Sequence, residues 1–187
     1  METVFRKEIV VNKALIRGIG ATVFIILTCL GAFVRIPLPF SPVPITLQTF
    51  FVLLSGAFLG SGLGTASQIG YIFLGVSGLS VFTASGAGLF YLAGPTTGYL
   101  FGFILASFLA GKFVRYAKNF ALLFGLFFLA SLIILGCGTI WLKLVLGSGA
   151  GNSFMAGFIP FLPGDLLKSG LAALIYLRLK PRLKETF

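Results

Sequence analysis

The sequence predicts an all-α integral membrane protein of six transmembrane helices, with a partly buried loop between the third and fourth spans. Three observations predict it. Of 187 residues, 58% are hydrophobic and only 10% charged, against about 45–50% and about 25% in an ordinary soluble domain, and the mean hydropathy is +1.09. The apolar residues fall into runs long enough to cross a bilayer, which takes about 20 residues each. Fourteen basic residues against four acidic ones gather just outside those runs. A globule of this size leaves too much surface in water to hide such an apolar excess. A soluble enzyme, a disordered chain and a disulfide scaffold are therefore excluded, and six spans leave no room for a separate soluble domain. The whole chain, 1–187, reads as one membrane domain with a short cytoplasmic segment at 1–13 and a basic cytoplasmic tail at 178–187.

The elements follow in order. Residues 1–13 carry mixed charge and read as a segment at the membrane surface; the apolar run that follows is too long for a signal-peptide core and has no small-residue cleavage site after it. That run, 14–34, is the first span. Residues 35–44 hold four prolines, Pro37, Pro39, Pro42 and Pro44. Proline removes backbone donors and forces the preceding residue into extended geometry, so this is a stiff, non-helical loop. Residues 45–59 and 61–76 form two short, glycine-rich spans joined at a tight turn, Gly60 to Gly64. Residues 78–94 are apolar but studded with small residues and read as a loop dipping into the protein, tolerated at membrane depth only where protein covers it or it lines a cavity. The fourth span, 95–111, opens with proline in its first turn. The fifth, 120–146, is the longest, and 147–152 is a flexible outer loop. The last span is interrupted: 155–162 is apolar, Pro163 and Gly164 break it, and 165–179 resumes as helix.

Charge orients this arrangement. Eleven of the fourteen basic residues form three clusters: Arg6, Lys7, Lys13 and Arg17; Lys112, Arg115 and Lys118; Arg178, Lys180, Arg182 and Lys184. An excess of lysine and arginine marks the cytoplasmic side and suits an anionic leaflet. Six spans with both termini cytoplasmic place all three clusters inside, whereas an odd number would put one terminal cluster outside. The expected location is a bacterial cytoplasmic membrane, and nucleic acid is not an expected partner. Cys29 and Cys137 lie within apolar runs and read as small hydrophobes. No histidine is present, so a nucleophile–histidine pair is impossible.

Two ionisable residues stand out. Asp165 is the one acid outside the tails, where Glu2, Glu8 and Glu185 lie, and Lys168 follows it at i+3 on the same helix face. Each costs about 2.5–3.5 kcal/mol in a span on insertion scales, so the pair needs a reason. Asp165 can be explained as a cap at a helix start that suits the positive dipole end, but a lysine in that turn sits at the wrong end of the dipole. A substrate-binding pair and a structural ion pair are the two readings. Broken helices pointing at ligand groups recur in transporters, and Phe82, Tyr91, Gln48, Gln68 and Tyr71 are the further candidates for contact with a small polar ligand. In the first span Ala14, Gly18 and Thr22 recur every four residues, with Ala21 alongside. Small-xxx-small spacing permits close helix approach, either within this chain or onto another membrane subunit. No G-x-x-x-x-G-K-[ST] sequence exists, since Ala106 stands where Gly111-Lys112 would require glycine, so the chain has no phosphate-cradling loop of its own.

Four stretches together resemble one family: VPITLQT at 43–49, GVSGLSVF at 75–82, GPTTGYL at 94–100 and FLPGDLLK at 161–168. In this order, and covering the chain from about Arg35 to the last span, they resemble the BioY proteins, the biotin-specific S components of energy-coupling-factor (ECF) transporters. The resemblance implies a high-affinity biotin site near the outer surface, no cofactor, and energisation by an ECF transmembrane subunit and two ABC-type ATPases. Asp165 and Lys168 occupy the family's acidic and basic motif positions. The acid suits ureido N–H groups; the lysine suits either the ureido oxygen or the valerate carboxylate. The face bearing Ala14, Gly18, Ala21 and Thr22 resembles the surface by which S components meet the transmembrane subunit. Two positions depart from the pattern, Ser80 in place of proline and Thr97 in place of glycine; both bear on the loop expected to cover the site and leave the Asp–Lys pair intact. A stand-alone carrier or channel is the alternative, disfavoured because the spans hold no chain of acids for proton coupling and no ring of charges for a pore. A membrane-embedded enzyme ranks below both.

Overall fold

The computed structural model describes residues 13–147 and 149–183. Most of the expected surface segment, with Arg6 and Lys7, and the end of the tail, with Lys184, lie outside the described residues. Helix α1 (Lys13–Phe33) leads into the proline-rich stretch. That stretch is extended, as its prolines require, but it is not a plain loop: β1 (Arg35–Leu38) and β2 (Ser41–Thr46) pair antiparallel, Arg35 opposite Thr46 and Ile36 opposite Ile45. The register slips between Ile36 and Leu38, where Pro37 has no N–H to give the ladder. The Leu47 amide then donates to the carbonyls of Gly31 (3.2 Å) and Val34 (3.1 Å), folding the ribbon back over the end of α1.

Helix α2 (Gln48–Val76) runs 29 residues in name, but Gly60 has φ 78° and ψ 175°, a positive φ that disfavours L side chains. The chain reverses there. The Gln48 Nε2 donates to the Tyr71 hydroxyl at 2.6 Å, Gln68 Nε2 donates to Ser55 Oγ at 3.0 Å, and a Cβ on Gly64 would lie 2.7 Å from the Gly56 Cα. Gln48 and Tyr71 on one straight helix would stand about 35 Å apart at 1.5 Å per residue. The two legs, 48–59 and 61–76, are thus an antiparallel pair about the predicted turn. Among the described residues, five helical stretches are long and apolar enough to cross a membrane, with α2 counted as one.

Helix α3 (Thr97–Phe113) is the central element, with more than half of its span buried, while α1 is peripheral. Helix α4 (Phe120–Leu146) starts on Asn119, whose Oδ1 accepts from the Leu122 amide at 2.9 Å, and ends on left-handed Gly147 (φ 59°). Two sequence expectations are corrected after it. The loop expected at 147–152 is already helical from Ala150, where α5 (Ala150–Gly157) begins. The interruption of the last span lies at Phe158 (φ −122°, ψ −62°), followed by the single turn Ile159–Phe161, and α6 (Leu162–Leu183) already contains Pro163 and Gly164. Proline fits the first turn of a helix, where its missing N–H has no partner to lose, so Pro163 starts α6 and does not break it. Cys29 and Cys137 are free thiols.

Glycine sets how closely the helices meet. A Cβ on Gly56 would strike the Ser107 carbonyl of α3, and one on Gly111 would strike the Ser61 amide. The Ser55 and Ser107 hydroxyls hydrogen-bond across this crossing at 3.0 Å, the small-residue and hydroxyl chemistry of helix packing in lipid. On the outside, Leu15, Ile19, Val23, Ile26 and Leu30 lie exposed along α1 and Leu129, Ile140 and Leu144 along α4, an apolar girdle that water would not tolerate and a bilayer does.

Gly56→Ala is expected to destabilise the protein by about 1–3 kcal/mol through overpacking, seen as a lower thermal midpoint in detergent. Gly62→Ala, with nothing within 4 Å of the added methyl, is expected to leave the midpoint unchanged. Equal effects from the two substitutions would refute the close crossing.

Candidate functional site

Three elements converge on one buried point. The last helix brings Asp165 and Lys168, 1% and 8% exposed, in its first turns. Their side chains form an ion pair. Asp165 is not a cap: it lies inside α6, and its carboxylate oxygens, both buried, receive no hydrogen bond beyond that ion pair from the described residues. The Lys168 Nζ also donates to the Thr46 carbonyl of β2 at 3.2 Å, which explains why a lysine is tolerated at the wrong end of the helix dipole. Its charge is met by the carboxylate and its N–H groups by the ribbon.

From Thr46 a polar chain runs to the 78–94 loop. The Thr46 hydroxyl donates to Gln48 Oε1 (3.3 Å), Gln48 Nε2 donates to the Tyr71 hydroxyl (2.6 Å), and that hydroxyl donates to the Val81 carbonyl (3.2 Å). Each group buried here has a partner, the condition for burying polar groups without a penalty of about 1–3 kcal/mol apiece. The Asp165 carboxylate and the Ser169 hydroxyl beside Lys168 are the exceptions on α6. A carboxylate offers about four acceptor sites, and one lysine does not fill them.

The cavity at this point measures about 40 Å³ and is lined by both members of the pair, by Thr46, Gln48, Tyr71 and Tyr91, and by apolar side chains such as Leu100, Phe103 and Phe161. Five of the seven candidate contact residues therefore share one wall. The other two do not line it. Phe82 stands behind, edge-on to Tyr71 (centroids 5.6 Å) and stacked on Tyr91 (4.6 Å). It fills a notch over Gly75, where any Cβ would collide with its ring. Gln68 belongs to a separate buried network with Ser55, Ser67 and Thr28, joining α1 to both legs of α2. Sequence reasoning missed Thr46, Thr49, Thr96 and Tyr99 as lining residues. Thr46 and Thr49 sit within the VPITLQT stretch and Thr96 and Tyr99 within GPTTGYL, so the motifs carried the signal although no single residue did.

The loop over the cavity is held by local bonds. The Thr83 and Tyr91 hydroxyls lie 2.6 Å apart, the Gly88 amide donates to the Gly75 carbonyl (2.8 Å), and the Trp141 Nε1 donates to the Gly94 carbonyl (2.9 Å). Ala84 and Ser85 both take left-handed φ, 59° and 58°, a conformation that costs non-glycine residues of order 1–3 kcal/mol and that these contacts offset. Thr97, one of the two departures, is buried and donates to the Tyr91 carbonyl at 3.4 Å, so it fastens the loop. Ser80 is exposed.

The geometry is therefore a small buried cavity with one incompletely bonded carboxylate, walled by a ribbon, a helix and a fastened loop. A model of the BioY family matches residues 8–185. The chain belongs to the BioY family. Among its relatives, the biotin transporter BioY of Thermotoga maritima is 42% identical over 170 residues, which cover 87% of this chain and 94% of that one. The probable biotin transporter BioY of Pyrococcus horikoshii is 37% identical over 157 residues, 84% and 91% of the two chains. A crystal structure of the S-component for biotin from an ECF-type ABC transporter superposes with a TM-score of 0.85 at 26% identity, covering 91% of this chain and 93% of that one. With several membrane-spanning helices, this BioY chain is a multi-pass membrane protein.

The partners within the pair should be unequal when tested alone and together. Lys168→Met, which leaves a buried carboxylate without its cation, is expected to cost about 3–5 kcal/mol. The double variant Asp165→Leu/Lys168→Met is expected to recover most of that loss. Thermal unfolding of the ligand-free protein measures both; a double variant no more stable than the single one contradicts the assignment.

Proposed function

We propose that this chain is the biotin-binding subunit of an uptake system in the cytoplasmic membrane, a transport protein and not an enzyme, energised by a transmembrane subunit and ABC-type ATPases. The observation that carries the reading is the Asp165 carboxylate, buried in an apolar cavity with acceptor sites left over. A cyclic urea presents two N–H donors and a carbonyl in one plane. The acid takes one of the N–H groups, and Lys168 has a third N–H for the carbonyl oxygen. Apolar walls of Leu100, Phe103 and Phe161 suit the thiophane ring. Gln48, Tyr71 and Tyr91 hold the pair's surroundings in register and are the remaining candidate contacts. A 40 Å³ cavity has room for a water or two, whereas ligand pockets run to about 300 Å³ and more. Admission of the vitamin thus requires the loop over the cavity, or the side chains beneath it, to move.

The membrane arrangement favoured by this reading has six crossings, the two legs of α2 counting separately, with residues 78–94 on the outer side. The contact of Gly111 with Gly60 and Ser61 supports it, because it sets the α2 turn at the same end of the bundle as Lys112, Arg115 and Lys118. Arg178 and Lys180 near the end of α6 then lie on that same, cytoplasmic side. Gly18 and Thr22 are exposed and border a shallow groove on α1 with Leu15, Ile19 and Val23, so close packing within this chain is not their use; they suit docking onto the transmembrane subunit. Ala21 lies outside that groove, and the Ala14 side chain is outside the described residues.

Calorimetry with the purified protein tests the ligand and the site together. Saturable biotin binding is expected, and Asp165→Asn is expected to weaken it about 10- to 150-fold, the value of charge-assisted hydrogen bonds worth about 1.5–3 kcal/mol. Equal affinity in the two proteins would move the site elsewhere, and no binding by the wild type would remove biotin as the ligand.

A further inference from the structure

The interruption of the last span leaves a carbonyl without its helical partner. In an unbroken helix the Gly157 carbonyl would accept from the Phe161 amide. Here that amide donates to the Phe158 carbonyl at 3.2 Å, and the Leu162 amide donates to Ile159. A carbonyl freed in the protein interior needs a donor. Tyr99 of α3 supplies it: its hydroxyl donates to the Gly157 carbonyl at 2.7 Å in a buried bond. Glycine permits the approach, since a Cβ at position 157 would lie 2.8 Å from the hydroxyl oxygen. The ring is held as closely as the hydroxyl. It lies over Gly138 of α4, where any Cβ would collide with it, and against the Phe161 ring (centroids 6.0 Å). Tyr99 thus holds the break on both sides, Gly157 before it by the hydroxyl and Phe161 after it by the ring. Asp165 stands four residues beyond Phe161, and it lines the same cavity as Tyr99, Leu100 and Phe103 of α3.

We infer that Tyr99 is a positioning residue for the ligand site: by fastening the break it sets where α6 begins, and so where the Asp165 carboxylate stands relative to the α3 wall. This rests on the biotin reading above. Helix α6 is continuous from Leu162, so a rotation or slide at its start moves Asp165 and Lys168 together. Their ion pair holds the two side chains to each other and not to α3. The Lys168 bond to Thr46 ties the pair to the ribbon, and Tyr99 ties the head of the same helix to α3 and α4. A hydrogen bond weakens steeply as it leaves line, and a site holds its geometry only through the residues that support it. A carboxylate free to shift therefore binds less well although nothing it touches has been removed. The hydroxyl hydrogen of Tyr99 is spent on Gly157, so the residue acts through Asp165 and not as a donor to the ligand.

The experiment is calorimetry with biotin on the full-length protein in detergent, in four forms: wild type, Tyr99→Phe, Asp165→Asn and the double variant, with the thermal midpoint of each ligand-free form measured alongside. Phenylalanine keeps the ring over Gly138 and against Phe161 and removes the hydroxyl alone. Tyr99→Phe is expected to bind biotin about 3- to 10-fold more weakly than the wild type, the worth of one hydrogen bond. In the Asp165→Asn background the same change is expected to alter affinity by less than about twofold, because effects of residues that act through one another do not add. Unchanged affinity in Tyr99→Phe, even with a lowered midpoint, overturns the inference, since the hydroxyl then only stabilises the fold. An equal fold-loss in the two backgrounds also overturns it, since Tyr99 would then act independently of Asp165. In either case biotin binding by the wild type that weakens in Asp165→Asn leaves the biotin reading standing. Failure of the wild type to bind biotin overturns that reading and the role of Tyr99 with it.

Discussion

The buried pair of Asp165 and Lys168 is the constraint around which the rest is arranged. Neither residue is stable alone at membrane depth, and even as a pair they need further hydrogen bonds to offset desolvation. The lysine finds one at the Thr46 carbonyl, and that single requirement brings a β-ribbon, rare in a helical membrane protein, down onto the last helix. Backbone outside a helix is tolerated there because it lines a cavity and because its own polar groups are met. Thr46 in turn hands the polar chain to Gln48 and Tyr71, so the two legs of α2 and the loop after them are tied to the same point. The acid is left as the one under-bonded member, and a site with one unfilled acceptor in an apolar wall is a site with a preference.

Much of this was legible in the residues. Four prolines in ten positions dictate extended chain, Gly60 marks the reversal between the two legs of α2, and an acid and a base three apart in an apolar run demand a common face. What escaped was set by tertiary packing. Pro163-Gly164 has the composition of a break, yet proline's first-turn preference makes it a start, and the true interruption at Phe158 is the one flanked by Gly157 and Pro160. The 147–152 stretch is rich in glycine and serine and nevertheless seeds α5 because Ser153 and Gly157 bury against the bundle. Gln48 and Gln68 are chemically identical candidates twenty residues apart. Only the fold-back at Gly60 decides that one faces the cavity and the other faces Ser55 and Thr28. The hairpin pairing was equally out of reach, because cross-strand partners are fixed by register and not by composition.

The loop from 78 to 94 carries the remaining tension. It must be closed enough to keep water from the ion pair and loose enough to let a ligand in, and its contacts divide along that line. The Phe82 ring is wholly buried in the Gly75 notch, a fixed anchor that a larger residue at position 75 would abolish. The Thr83–Tyr91 hydroxyl bond and the Tyr91 ring are half-buried, and they stand at the neck between the cavity and a second opening of about 340 Å³ beside it. Leu89 and Phe90, at the crest, are exposed and hold nothing. Two consecutive left-handed residues, Ala84 and Ser85, lie between the anchor and the neck. Their strain is maintained only by the contacts around them, so loosening the neck releases it. An anchored base, a strained hinge and a bond at the neck are what local opening needs: it gives up a few partly exposed contacts and leaves the buried network from Thr46 to Tyr71 in place.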